Sequence, residues 1–368
     1  MTGTHCRWGI LGTANIARKN WKAIRNAGNS LLVAVASRDG DRARRFIEEC
    51  QAYVPVVPAP IPCGCYQELI ERDDIDAVYI PLPTAIRKEW VIRAAGAGKH
   101  VLCEKPCGVT SADVRAMLDA CRESRVQFMD GVMFMHSQRL PLLRRILDDG
   151  ESVGTIHRLA SQFSFKAAEE FLAKNIRVRS ELEPLGCLGD LGWYNIRFFL
   201  WVMNEQLPER VSGHILAEHG RGDGARPVPV EFCGEMFFPG AVSASFFCSF
   251  LTENQQWANL SGTGGYLQVP DFVVPYFGSE VGFEVNTPVF RVYGCDFNME
   301  SHVRRFAAHE YSNSTPNSQE ASMIRAFSGI VLSGRLEPRW GELALKTQQV
   351  LDGCLRSARE DGRLVPVT

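Results

Sequence analysis

The stretch Arg7-Trp-Gly9-Ile-Leu-Gly12-Thr-Ala14-Asn-Ile-Ala17 decides the fold class, because it joins an apolar strand to the start of a helix through a glycine-containing turn. Matched to G-x-G/A-x-x-G/A, its fingerprint positions are Gly12, Ala14 and Ala17. Such a turn lets backbone amides approach a pyrophosphate at a helix N-terminus. Ala14 departs from the fingerprint, since glycine is usual at the position of closest approach. An ordinary strand–helix turn is the alternative for this motif.

Outward from this turn, residues 1–130 alternate short apolar strands with helical patterns of about 10–15 residues. This alternation is typical of βαβ units and a parallel sheet. The strands are nearly continuous in apolar residues, which indicates a sheet that is covered on both faces. We therefore predict an α/β Rossmann domain, a doubly wound parallel sheet that binds a dinucleotide, over residues 1–130.

The pattern changes in residues 131–368. Several strands become longer and alternate between apolar and polar residues, and turns such as Pro239-Gly240 join neighbours without a helix. This predicts an α+β domain with an open-faced, mostly antiparallel sheet. Within it we expect a strong helix from about Gly189 to Met203, a surface loop over 296–318, and helices near the C-terminus.

Composition excludes several classes of protein. The 368 residues carry 40 Lys and Arg against 42 Asp and Glu, and the resulting net charge of −2 argues against a nucleic-acid binder. No apolar run reaches the roughly 18 residues of a membrane-spanning helix, and the N-terminus lacks an apolar signal region. The 12 cysteines show no paired Cys-x-x-Cys spacing, so we expect reduced thiols, no metal site and a cytoplasmic location.

The end of the second predicted strand bears on the choice of cofactor. An NAD-selective site usually has Asp or Glu there, to bind the ribose 2′-hydroxyl. The strand that begins at Leu32 instead ends in Ser37-Arg38, and a hydroxyl beside a guanidinium suits a 2′-phosphate. Asp39 is one residue late and is better explained as a helix cap. We expect NADP(H) to be favoured over NAD(H), and a solvated surface charge is the alternative for Arg38.

Two further motifs carry groups that can transfer protons. Lys105 follows the fifth predicted strand in Glu104-Lys105-Pro106, at the edge where open parallel sheets bind ligands. Asp190 and Tyr194 are four residues apart and share one face of the predicted helix. A phenol, a carboxylate and a lysine together can handle the proton that carbonyl reduction requires. The alternatives are a surface lysine, a core tyrosine and a capping aspartate.

Taken together, these motifs resemble the Gfo/Idh/MocA family, which is named after glucose–fructose oxidoreductase, inositol dehydrogenase and a rhizopine-catabolism oxidoreductase. The resemblance covers nearly the whole chain, and it extends to the strand Ile75–Pro81 and to the final helix Thr347–Arg359. Within the family, the chain looks most like the branch that contains dimeric dihydrodiol dehydrogenase and NADP-dependent xylose dehydrogenase.

The resemblance implies an oxidoreductase that transfers hydride between the nicotinamide of NAD(P) and a carbon of a sugar, polyol or cyclic diol. Tyr194 would donate or accept the proton, Lys105 would lower the pKa of that tyrosine, and Asp190 would bind the substrate or orient the pair. The domain 131–368 would bind this polyhydroxylated molecule and form a homodimer or homotetramer through its sheet. The cofactor-binding residues implied by the motifs are Gly12, Thr13, Ala14, Asn15, Ile16, Ser37, Arg38, Pro81, Leu82, Thr84, Arg87, Glu104, Lys105 and Pro106.

Two departures from the family pattern leave the substrate open. Many members have Pro-Asn-x-x-His after the fourth strand, whereas this chain has Pro83-Thr84-Ala-Ile-Arg87, which would change the charge near the nicotinamide or substrate. His136 stands in a stretch that more commonly contains Arg or Tyr, and it is a candidate substrate contact, as is Arg177. A core or surface histidine and a solvent-facing arginine are the alternatives.

Two other functions stay open. A regulator that binds dinucleotide without catalysis would be favoured by loss of Lys105 and Tyr194, and both are present. A glycosidase with a tightly held NAD would oxidise its sugar and reduce it again, with no net redox change. The Ser37-Arg38 pair counts against that glycosidase, because it suits NADP rather than NAD.

Overall fold

The computed structural model describes residues 4–220 and 224–368, which form two compact units. The first unit takes in the described residues up to His136 together with Arg179–Pro184 and Asn313–Gln348. The second unit takes in Ser137–Val178, Leu185–Ser312 and Gln349–Thr368. The sequence placed a single division after residue 130. The structure instead returns 313–348 to the first unit.

A six-stranded parallel sheet forms the centre of the first unit. Its strands are β1 (Cys6–Leu11), β2 (Ser30–Ala36), β3 (Ile61–Cys63), β4 (Ala77–Ile80), β5 (His100–Cys103) and β6 (Phe128–Asp130). Their order across the sheet is β3-β2-β1-β4-β5-β6, in which the direction of winding reverses between β1 and β4. This order confirms the predicted doubly wound Rossmann sheet.

Helices connect the strands of both units, and short polar side chains begin several of them. The Asp39 carboxylate accepts a hydrogen bond from the Asp41 N–H at 2.9 Å, which confirms Asp39 as a helix cap. The helices are α1 (Asn15–Asn26), α2 (Gly40–Tyr53), α3 (Tyr66–Ile70), α4 (Thr84–Gly96), α5 (Ser111–Glu123), α6 (Arg139–Leu147), α7 (Glu169–Lys174), α8 (Trp193–Val202), α9 (Gln319–Ser333) and α10 (Arg339–Arg359).

Residues 313–348 join the first unit because α9 packs on α1 and β1. The Trp8 indole N–H donates to Ser328 Oγ at 3.0 Å, and its ring centroid lies 5.1 Å from that of Phe327. Both rings are fully buried. Burial of these rings stabilises the unit by removing a large apolar area from water, so α9 is a part of the Rossmann core rather than an appendage.

A nine-stranded sheet forms the second unit. In spatial order its strands are β16 (Val303–His309), β13 (Glu280–Asn286), β12 (Tyr266–Val269), β11 (Gln255–Gly262), β7 (Ile156–Ser164), β10 (Val242–Ser249), β9 (Val228–Phe238), β8 (Arg210–His219) and β17 (Val365–Pro366). Only the β7–β10 pair among these described strands is parallel. The α+β prediction with a mostly antiparallel sheet is confirmed.

The two faces of this sheet have different neighbours. The register places Trp257, Gln162 and Phe247 side by side on adjacent strands, and all three are partly exposed. The next row, on the opposite face, contains Ser161, which is buried and donates to Asn195 on α8 at 2.7 Å. One face is thus covered by α8, and the other is the open face.

The predicted surface loop over 296–318 is wrong in its first part. Residues Asp296–Glu300 form β15, which pairs with β14 (Val289–Tyr293) in a separate two-stranded hairpin, and β16 follows. The side chains of Phe290, Val292, Phe297 and Met299 are each more than half exposed. Neither strand of this hairpin has a buried face, so burial does not shape the sequence pattern here.

None of the helices described within 4–220 and 224–368 is both long and apolar enough to cross a membrane.

Candidate functional site

The turn after β1 has a backbone conformation that favours glycine. Gly12 has a φ of +118°, and its N–H donates to the Ala36 carbonyl at 2.9 Å. A Cβ at this position would lie 3.0 Å from a methyl carbon of Leu82. The turn therefore brings bare backbone to the carboxyl edge of the sheet, between the ends of β1 and β4.

The start of α1 is suited to an anion. Ala14 is its N-cap, and no side chain within the described residues caps the helix or places a carboxylate in its first turn. The first amide N–H groups are thus left without a side-chain cap, and the first turn has no acidic residue of its own. Thr13, Asn15 and Ile16 lie at this end of the helix.

Cations gather at the end of β2. Ser37 is buried, while the Arg38 side chain is exposed and makes no ion pair among the described residues. Arg42, one turn into α2, donates from Nε to Thr13 Oγ1 at 2.8 Å. Burial raises the pKa of Tyr66, and the nearby charges of Arg38 and Arg42 partly offset that rise. Sequence reasoning missed Arg42, although its place in the first turn of the helix that follows Ser37-Arg38 was a usable signal.

Thr84 is the first residue of α4, and both its N–H and its hydroxyl donate hydrogen bonds to the carboxylate of Glu183. Its N–H donates to Glu183 Oε1 at 3.0 Å, and its hydroxyl donates to Glu183 Oε2 at 2.5 Å. The residue is 1% exposed. Glu183 belongs to the short segment Arg179–Pro184 of the first unit, and it fills the N-terminus of α4 as a capping side chain.

Arg87 lies on the first turn of α4 and is buried. Its Nε and Nη2 atoms donate to the Leu82 carbonyl, with Nε at 2.9 Å. Its Nη1 atom donates to the Glu104 carbonyl at 2.9 Å and also to the Pro106 carbonyl. The guanidinium thus joins the loop after β4 to the loop after β5.

Lys105 follows β5 at the same edge of the sheet, and it is partly exposed. The peptide bond between Lys105 and Pro106 is cis. The Lys105 N–H donates to Glu104 Oε2 at 3.2 Å, and the buried Tyr79 hydroxyl donates to Glu104 Oε1 at 2.6 Å. Burial and the charge of Glu104 hold the pKa of Tyr79 well above its ordinary value, so Tyr79 stays a neutral donor.

In the second unit, Asp190 and Tyr194 lie where a π-helical turn passes into α8. The turn covers Leu188–Gly192, and π turns inside helices are frequent at functional sites. Asn195 stabilises it, because its side-chain amide donates to the Leu191 carbonyl at 3.2 Å. A Cβ on Gly192 would lie 2.9 Å from Leu188, so the turn is closely packed.

The Asp190 carboxylate is paired with an arginine. Arg177 Nε lies 2.8 Å from Asp190 Oδ2, and the two side chains are 43% and 12% exposed. The Tyr194 ring is buried and meets Phe163 edge to face, with centroids 5.6 Å apart. Arg177 and Asp190 therefore form an ion pair beside the start of α8, the helix that carries Tyr194.

The structure sorts the predicted residues into three places. Those predicted to bind cofactor lie at the carboxyl ends of β1, β2, β4 and β5 in the first unit. Asp190, Tyr194 and Arg177 lie in the second unit, where Arg177 pairs with Asp190. His136 is in neither group, because its ring stacks on Trp340 of the first unit with centroids 4.8 Å apart. No group of three or more metal-binding side chains occurs in the described parts of the chain.

A glycine turn at the carboxyl edge of a doubly wound sheet is typical of dinucleotide-binding proteins, and comparison with known proteins defines the class. Residues 6–132 match the model of an oxidoreductase family with an NAD-binding Rossmann fold, and residues 142–268 match the Gfo/Idh/MocA C-terminal domain. The chain belongs to the Gfo/Idh/MocA family of oxidoreductases, which confirms the resemblance seen in its motifs. It is an enzyme of the dehydrogenase and reductase class.

Individual relatives act on sugars. The chain is 29% identical to a dTDP-3,4-didehydro-2,6-dideoxy-α-D-glucose 3-reductase of Actinomadura kijaniata, over 96% of both chains. It is 31% identical to an NADP⁺-dependent D-xylose 1-dehydrogenase of Haloferax volcanii, over 71% of this chain and 74% of the relative. The solved structure of KijD10, a 3-ketoreductase from Actinomadura kijaniata in complex with NADP and TDP-benzene, matches with a TM-score of 0.81. That match has 27% identity and covers 96% of this chain and 98% of KijD10.

Proposed function

We propose that the chain is an NADP-dependent oxidoreductase that interconverts a hydroxyl and a carbonyl on a sugar, polyol or cyclic diol. The observation that carries the proposal is the carboxyl edge of the six-stranded sheet, where the Gly12 turn, Arg38 and Lys105 all lie. Relatives that reduce a dTDP-sugar and oxidise D-xylose support a sugar as substrate.

The residues at this edge fit NADP. The uncapped start of α1 suits a pyrophosphate, and the bare backbone at Gly12 allows it to approach. Arg38, with Arg42 near it, suits the charge of a 2′-phosphate, and Ser37 adds a hydroxyl. Bound NADP(H) supplies the hydride-transfer chemistry.

Side chains of the protein would transfer the proton that accompanies the hydride. We infer that the Tyr194 hydroxyl donates a proton to the substrate oxygen during reduction and accepts it during oxidation. Lys105 acts in the same reaction as a cation that favours the phenolate and touches the substrate or ribose hydroxyl. Asp190, whose negative charge is balanced by Arg177, accepts hydrogen bonds from substrate hydroxyls.

Replacing Arg38 with Ala tests the cofactor assignment. We expect the Kd for NADPH to rise about 10- to 100-fold, since a charged hydrogen bond contributes about 1.5–3 kcal/mol. The Kd for NADH should stay unchanged, because NADH has no 2′-phosphate. Fluorescence titration with each cofactor gives both constants. Arg44→Ala is the control, because Arg44 lies on α2 but pairs with Asp41 at 2.7 Å.

The same titrations test both the assignment of Arg38 and the proposed oxidoreductase activity. An Arg38→Ala protein that binds NADPH as tightly as the unmodified chain would contradict the assignment of Arg38. An unmodified chain that binds neither cofactor would contradict the proposed function itself. With NADPH bound, consumption of the cofactor in the presence of keto-sugars, aldoses or oxidised diols identifies the substrate.

We also propose that two copies associate through the open face of the nine-stranded sheet. Trp257 and Phe247 lie on this face with Gln162 between them, and burial of such aromatic side chains favours association. Sedimentation velocity should therefore show a dimer or tetramer. Trp257→Glu together with Phe247→Glu should shift the protein to monomers, and a double variant that stays fully associated would rule this face out.

A further inference from the structure

Arg87 is a buried cation whose hydrogen bonds go to the main chain. The residue is 4% exposed, and its guanidinium donates to the carbonyls of Leu82, Glu104 and Pro106. Burying a charge is costly unless polar groups surround it, and here carbonyl dipoles do so. A side chain in this position is not placed to meet a ligand through its charged end.

Two of the three carbonyls that Arg87 binds lie on either side of Lys105. Glu104 precedes the lysine and Pro106 follows it, and both carbonyls accept from the same Nη1 atom. The Lys105 N–H between them donates to the Glu104 carboxylate, which the Tyr79 hydroxyl holds in turn. The backbone around the lysine is thus held at the Glu104 carbonyl, the Lys105 N–H and the Pro106 carbonyl.

We propose that Arg87 is a positioning residue that fixes the backbone of Lys105, and with it the place from which the lysine amine acts. The inference rests on the proposed function, in which that amine takes part in catalysis. The planar guanidinium suits this task because its donors diverge in one plane and can meet two loops at once. An ammonium group offers its three donors from a single atom and cannot span both loops.

The test compares Arg87→Lys with Arg93→Lys. Arg93 lies on the same helix, is half exposed and pairs with Glu89 at 2.8 Å, so its replacement is a matched control. For Arg87→Lys we expect kcat to fall about 10- to 100-fold, since small misplacement of a catalytic group has effects of this size. The KM for substrate and the Kd for NADPH should change by less than kcat does. Arg93→Lys should change none of them.

A second measurement does not depend on turnover. Trace labelling with acetic anhydride, followed by peptide mass spectrometry, reports the reactivity of the Lys105 amine in the NADPH complex. We expect Arg87→Lys to change this labelling rate at least about threefold as the loop moves, a change in environment large enough to alter amine reactivity. Labelling of Lys88 on the same helix should stay constant.

The possible outcomes distinguish failure of the proposed activity from failure of the positioning role of Arg87. If no carbonyl substrate is turned over by any variant but Lys105 labelling responds to Arg87→Lys, the proposed function fails and the positioning role stands. If Arg87→Lys keeps both the turnover and the labelling of the unmodified protein, the positioning role is overturned. A large rise in the NADPH Kd at unchanged kcat would also overturn it, because Arg87 would then be a cofactor contact.

A second variant distinguishes a folding defect from loss of the positioning role. Arg87→His keeps a hydrogen-bond donor on a shorter side chain, and it should give an intermediate kcat and labelling rate. Thermal melting of each variant establishes that the comparison is made on folded protein. If neither Arg87→Lys nor Arg87→His yields folded protein, Arg87 is required for the fold of the unit, and the specific role is rejected.

Discussion

Tyr194→Phe should lower kcat by about 10²- to 10⁴-fold, the range associated with loss of a general acid or base. The substitution removes only a hydroxyl. The ring stays in the position where it meets Phe163 with centroids 5.6 Å apart, so packing is preserved. The substrate oxygen would have to take its proton from water, which is not held in place for the reaction.

The measurement is the single-turnover rate of NADPH oxidation at saturating substrate. A deuterium isotope effect with 4-deuterated NADPH shows whether hydride transfer limits that rate. Tyr266→Phe is the control, because it removes a hydroxyl from another tyrosine of the same unit. Among the described contacts, the Tyr266 hydroxyl accepts a hydrogen bond from the Asn286 side chain at 2.8 Å. A Tyr194→Phe protein with an unchanged single-turnover rate would show that another group donates the proton.

Gly186→Ala should be the most destabilising single-methyl substitution near the site. Gly186 has a φ of +50°, and an added Cβ would lie 2.1 Å from the Pro229 carbonyl oxygen. The clash is with backbone on β9, so it cannot be relieved by a rotation of a side chain. We expect the free energy of unfolding to fall by about 2–5 kcal/mol, from overpacking and left-handed strain together.

A matched glycine separates these two causes. Gly240 also has a positive φ, +77°, but a Cβ there would have no neighbour within 4 Å. Gly240→Ala should therefore cost only the conformational part, about 1–2 kcal/mol. Thermal melts of both variants make the comparison. Equal losses for the two would mean that β9 moves freely away from Gly186, and that the close approach has no energetic weight.

The Rossmann half could be predicted because its local signals agree with the fold. Apolar strands alternate with helices, the turn at Gly12 needs a glycine, and Asp39 is a cap that can be identified by its position. The return of 313–348 could not be predicted in this way. What places α9 is the Trp8–Ser328 contact between residues 320 positions apart, and no local pattern encodes such a pairing.

The sequence predicts individual residues of the candidate site, but it does not predict the contacts between them. The motifs pointed to Lys105, Asp190 and Tyr194, yet not to the Arg177–Asp190 pair or to the cap that Glu183 provides for Thr84. Arg87 was considered for its charge near the nicotinamide, whereas its three carbonyl partners suggest a task inside the protein. The β15 strand was missed because its exposed residues lack a buried face.

The first unit cannot be completed during translation until α9 has been synthesised. A ribosome that has made the chain up to His136 has still to add Asn313–Gln348 before that unit has all its parts. At about 5–20 residues per second, the delay is on the order of 10–40 s. During this interval the Trp8 side of the nascent sheet lacks its cover, which makes it a natural client for chaperones.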